Sequence, residues 1–161
     1  MSNKINFRED VLLSDPDNVR EIVTSTGFFN EHEIEIAVEL VEERLQKGLA
    51  SDYYFIFAEI DGRTVGYTCF GPIPATRESY DLYWIAVHTD FRGMGIGKQL
   101  IPASEDAIRK LGGHRVYIET SSRDLYVPTR AFYLACDYRL EAELEDFYAP
   151  GDAKCIYVKA I

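Results

Sequence analysis

The sequence predicts an α/β (α+β) fold, a mixed and mainly antiparallel sheet flanked by helices, and three observations lead there. Two β-like runs, Tyr53 to Ile60 and Arg63 to Pro72, are separated by Asp61-Gly62, a strong hairpin signal. From Leu82 to Thr120 the order is strand, helix, strand, the minimal parallel crossover unit. Tyr138 to Leu144 and Lys154 to Val158, with Pro150-Gly151-Asp152 between them, read as a long terminal hairpin.

Each element has a local reason. Pro16, just ahead of Asn18 to Val23, belongs at a first helical turn, and Gly27 interrupts that helix. Asn30 can cap a second helix from Glu31 to Lys47, on which Ile34, Val38, Val41 and Leu45 share a stripe and which Gly48 ends. A third β-like run, Tyr80 to Val87, is rich in aromatic and branched residues. Strict alternation along it puts Asp81, Tyr83, Ile85 and Val87 on one side and Leu82, Trp84 and Ala86 on the other. Gly97 to Leu111 reads as a helix that Pro102 kinks or tightens, Gly112-Gly113 stops it, and Arg115 to Thr120 supplies a strand. Arg130 to Cys136 is a short helix.

At 161 residues and 47% hydrophobic, the chain is expected to form one domain around one core. No apolar run is long enough for a membrane span or a secretory signal, so a cytoplasmic location is expected. Cys69, Cys136 and Cys155 are far apart and in no metal-ligand spacing, and the three histidines are scattered, so neither a disulfide framework nor a metal is expected. Seventeen basic and 27 acidic residues give a net charge of −10, a field that repels nucleic acid and favours cationic small molecules.

The most specific signal is Asp90 to Lys98, placed between a strand and a helix, where backbone N–H groups converge on a volume that suits a phosphate. Gly93, Gly95 and Gly97 give G-x-G-x-G, not the G-x-G-x-x-G of dinucleotide folds, and Gln99 after Lys98 breaks the nucleoside-triphosphate pattern. The remaining pattern, R-x-x-G-x-G over Arg92 to Gly97, resembles the acyl-CoA pyrophosphate loop of the GNAT family of N-acetyltransferases. Thr129 to Tyr138 resembles the family's second signature, with Asp137 where Gly is usual and Tyr138 in place of the frequent Phe. The element order over residues 5 to 159 is similar to the family as well.

The resemblance implies a sheet of about seven strands with a splayed parallel pair and acetyl-CoA (coenzyme A) in the gap. It places the peptide groups of Ile85, Ala86 and Val87 against pantetheine and the N–H groups of Met94, Gly95, Ile96, Gly97 and Lys98 against the pyrophosphate. Arg92, Gly93, Thr129 and Phe132 complete the expected cofactor set. Tyr133 stands at the leaving-group acid position, and Asp81, counted back from Arg92, at the carboxylate base of the histone-type members, with Glu119, Tyr83 and His88 as weaker substitutes. The expected activity is acetyl transfer to a primary amine of a small molecule by direct attack in a ternary complex; a non-catalytic acyl-CoA-binding domain is the alternative. Acceptor contacts are expected from Phe28, Phe29, Tyr83, Glu119, Tyr126 and Tyr148, within the segments 27–32, 71–80, 121–127 and 146–152 and their surroundings. A homodimer through the terminal strands is expected as a further partner state, with no nucleic acid and no membrane.

Overall fold

The computed structural model describes residues 4–161. Its seven strands are β1 (Asn6–Arg8), β2 (Tyr54–Ile60), β3 (Arg63–Pro72), β4 (Ser79–Val87), β5 (Arg115–Ser121), β6 (Arg139–Ala149) and β7 (Asp152–Ala160). They form one sheet in the order β1-β2-β3-β4-β5-β7-β6, in which only β4 and β5 are parallel. The helices are α1 (Asp15–Thr26), α2 (Glu31–Lys47), α3 (Ile96–Lys110) and α4 (Val127–Ala135).

The local signals behave as their chemistry requires. The Asn30 side chain accepts from the Glu33 N–H while Glu33 accepts from the Asn30 N–H, a capping box that starts α2 where its apolar stripe begins. Gly27 ends α1 in the left-handed region. α3 runs on through Pro102, so the proline costs one backbone bond without ending the helix. The short strand β1 escapes sequence reading, because three residues carry no periodicity; it is held by pairing with β2 and by Arg8, which bonds Asp15 and Glu59.

Two apolar clusters lie on opposite faces of the sheet. One joins α3 to Ile56, Val65, Leu82, Val116 and Tyr133; the other joins α1 and α2 to Phe55, Phe57, Tyr67 and Ala86. Phe70 pairs with Leu82 and Cys69 with Trp84, so Tyr83 has no partner on β3 and forms a bulge. The extra residue reverses the alternation beyond it, which corrects the expected sides. Leu82 now shares the α3 face with Ile85 and Val87, while Trp84 and Ala86 pack toward α1 and α2.

Candidate active site

Strands β4 and β5 pair only at Ser79, Tyr80 and Asp81, opposite Arg115, Val116 and Tyr117. Beyond Asp81 each continues without the other: β4 keeps β3 on its far side, and β5 keeps β7. The result is a V whose inner β4 edge, Leu82 to Val87, presents backbone groups that no strand satisfies. Between the arms lies a cavity of about 780 Å³.

The groups on the two sides of that cavity differ in chemistry. At one end α3 begins at Gly95, which has φ 76° and supplies no side-chain cap, so the first N–H groups of the helix are left for an outside acceptor. Gly93 also needs its glycine, at φ 78°. Gly97 serves a different purpose: a Cβ there would stand 3.2 Å from the Phe132 ring, so its bareness lets α3 and α4 close up. Arg92 reaches back to the Thr26 carbonyl at 3.3 Å and lies 5.6 Å from the centroid of the Phe28 ring. These features fit a pyrophosphate and a pantetheine arm laid along an open strand edge.

Elsewhere along the lining the wall is aromatic and acidic. Phe28 and Tyr126 meet across the mouth with ring centroids 6.1 Å apart, and Phe29 stands edge-on to Trp84 at 4.9 Å. Glu119 is held by Lys154 at 2.9 Å. Asp152 accepts from Ser121 and pairs with Arg123 at 3.3 Å, tying the β6–β7 turn to the end of β5. Tyr133 lines the cavity from α4, with its ring 5.7 Å from that of Tyr157, and burial pushes its phenol well above the ordinary value.

The cavity gathers most of the residues singled out in the sequence. Phe28, Phe29, Tyr83, Ile85, Ala86, Val87, Arg92, Gly97, Glu119, Tyr126, Thr129, Phe132, Tyr133 and Tyr148 all line it. Gly93, Met94, Gly95, Ile96 and Lys98 lie at its α3 end without lining it, and the Ile96 side chain is in the core. Asp81 sits at the vertex of the V, half-buried and one step behind the wall. Burial, with the nearby Glu119 charge adding and Lys154 opposing, raises its carboxyl to about 6. Burial, with help from Asp81, raises the Tyr83 phenol to about 12.

Two expectations are corrected. Segment 71–80 contributes nothing to the cavity, because it connects to β4 at the paired end of the V, away from the opening. His88, the weaker base candidate, lies outside the wall and accepts from the Asp90 N–H, capping the short turn after β4. Sequence reasoning missed Trp84 and Thr120, which do line the cavity, and so does Glu33, one of six α2 glutamates of which the sequence allows one to face an amine. Spacing does not distinguish Glu33 from the other surface glutamates of α2, and Trp84 lines the wall because it lies on the β4 edge left open beyond Asp81. Among the described residues no group of three side chains suited to a metal is brought together, and no helix is long and apolar enough to cross a membrane.

Comparison with known proteins agrees with this geometry. The family model described as acetyltransferase (GNAT) family matches residues 18–138. A crystal structure described as an acetyltransferase of the GNAT family, from Desulfovibrio desulfuricans, superimposes with a TM-score of 0.96 at 43% identity over 98% of this chain and 99% of that one. An aminoglycoside 6'-N-acetyltransferase complexed with coenzyme A has the same fold at 17% identity, TM-score 0.76, covering 98% and 96% of the two chains. So does the ribosomal-protein-S18-alanine N-acetyltransferase from Escherichia coli, at 16% identity, TM-score 0.76, with 98% and 94% covered. Comparison with curated proteins returns no match. A family model spanning most of the chain, a near-complete structural match and an open V between β4 and β5 together make this protein a member of the GNAT family of acetyltransferases, enzymes that draw their acyl group from acetyl-CoA.

Proposed function

We propose that the protein transfers an acetyl group from acetyl-CoA to a primary amine of a small molecule, by direct attack while both are bound. The observation that carries this reading is the single cavity between the diverging strands, which joins a phosphate-suited helix end to an aromatic, carboxylate-bearing wall. On the cofactor side, the open edge at Ile85, Ala86 and Val87 pairs with pantetheine. The amides from Gly93 and Met94 through Gly95, Ile96, Gly97 and Lys98 receive the pyrophosphate, Arg92 and Lys98 neutralise it, and Thr129 and Phe132 flank it. When bound, acetyl-CoA supplies an activated carbonyl and a thiolate leaving group.

The chain's own groups then handle positions and protons. Tyr133 donates its proton toward the sulfur; the burial that raises its phenol keeps that proton available across the physiological range. Asp81 accepts the amine's proton, relayed from the cavity past Glu119. Unpaired peptide groups at the bulge polarise the acyl carbonyl. Phe28, Phe29, Tyr83, Glu119, Tyr126 and Tyr148 receive the acceptor. The Phe28–Tyr126 contact across the mouth favours a compact amine over a long chain. The reading includes a cytoplasmic homodimer joined through β6, an edge strand exposed along nearly its whole length.

Thiol release measured over a panel of small amines and N-terminal peptides tests it. Small amines should turn over, and Tyr133→Phe should lower kcat by about 10²-fold with KM for acetyl-CoA nearly unchanged. Release from peptides alone would reject the small-molecule acceptor, and a wild-type kcat in Tyr133→Phe would reject the acid.

A further inference from the structure

Behind Tyr133, outside the cavity, lies a buried polar cluster. Glu105 of α3 is 3% exposed. It accepts from the Tyr138 hydroxyl at 2.9 Å and from Lys159 Nζ at 3.1 Å and 3.0 Å on its two oxygens. Lys159 also donates to the Cys136 carbonyl at 3.1 Å, and the Tyr138 N–H donates to the Tyr133 carbonyl at 3.0 Å. Between them Asp137 turns the chain at φ 69°. One cluster thereby joins α3, the end of α4 and β7.

Helix α4 needs such a tie. Of its nine residues only Tyr133 is buried; Phe132 packs half-buried against the same core beside Gly97 and Arg130 donates to the Ser121 carbonyl, so apolar packing holds the helix by a narrow stripe of two side chains. A buried ion pair is weak support for overall stability, and Lys159 by itself would satisfy the Glu105 charge. The Tyr138 hydroxyl, added to that pair at a position where the sequence leaves the signature pattern, makes the cluster a brace between α4 and α3. The same α3 carries the glycine-loop amides at its other end, nine residues and about 14 Å of helix away.

We propose that Glu105, Tyr138 and Lys159 are positioning residues for Tyr133, locking the end of α4 to α3 and so setting the phenol's place relative to the cofactor loop. This rests on the proposed acid role of Tyr133. Tyr138→Phe keeps the ring and removes the hydroxyl; Glu105→Gln keeps the size and removes the charge. Each should lower kcat about tenfold, with KM for acetyl-CoA changed by less than about twofold. Neither should lower kcat further once Tyr133 is already Phe, because a misplaced phenol cannot matter when it is absent. Wild-type kcat in folded Tyr138→Phe, or an equal loss with and without the Tyr133 hydroxyl, overturns the positioning role, whatever happens to the melting temperature. Should Glu105→Gln not fold, Tyr138→Phe decides alone. Tyr133→Phe at wild-type kcat would instead overturn the acid assignment itself.

Discussion

Tyr67 buries its hydroxyl among Phe55, Phe57 and Cys69 without a hydrogen-bond partner, the one such atom among the described residues. A stranded hydroxyl costs about 1–3 kcal/mol, so Tyr67→Phe should raise the melting temperature; a lower one would show that the group is satisfied. Asp81 offers a second prediction. Its carboxyl is raised to about 6 in the fold, mainly by burial, so the native state holds the proton more tightly than the unfolded chain. Asp81 therefore favours folding at acid pH, and that contribution is lost as pH rises from its unfolded value through about 6. Asp81→Asn should be the more stable protein above that range. If Asp81 accepts the amine's proton, kcat/KM falls below pH about 6 in the wild type and the Asn variant is slow without that limb; a pH profile identical to wild type would exclude the role.

Among the elements, the best-read were those with a chemical start and stop. Asn30 and Gly48 bracket α2, and Asp61-Gly62 fixes the β2–β3 turn, because caps and turns act within a few residues. β1 and the bulge at Tyr83 were not legible: one depends on Arg8 meeting Asp15, the other on the register with β3. The Arg8–Asp15 pair makes a prediction at this scale. Asp15 is fully buried and accepts from Arg8 at 2.7 Å and 2.9 Å, from the Leu12 N–H at 2.7 Å and from Asn18 at 3.1 Å. Asp15→Ala strands a charge and several donors, and should cost about 3–5 kcal/mol in denaturant unfolding. A loss under about 1 kcal/mol would show that solvent replaces the carboxylate readily.

At the scale of the molecule, β6 closes the sheet with a free edge, and Leu140, Leu144 and Phe147 are exposed on it. Sedimentation equilibrium should therefore give twice the 18.4 kDa chain mass, and Leu144→Lys should return it to the monomer; a monomeric wild type would remove the dimer from the proposal. The sequence by itself determined the order of helices and strands from α1 onward and the glycine loop between β4 and α3, since caps, turns and periodicity act over short spans of chain. Only the tertiary structure decided which way Trp84 faces, that segment 71–80 lies at the closed end of the V, and that Glu105 and Lys159 meet behind Tyr133. Those outcomes depend on strand register and on side chains 54 residues apart in Glu105 and Lys159, where no local preference reaches and only the packed sheet brings the partners together.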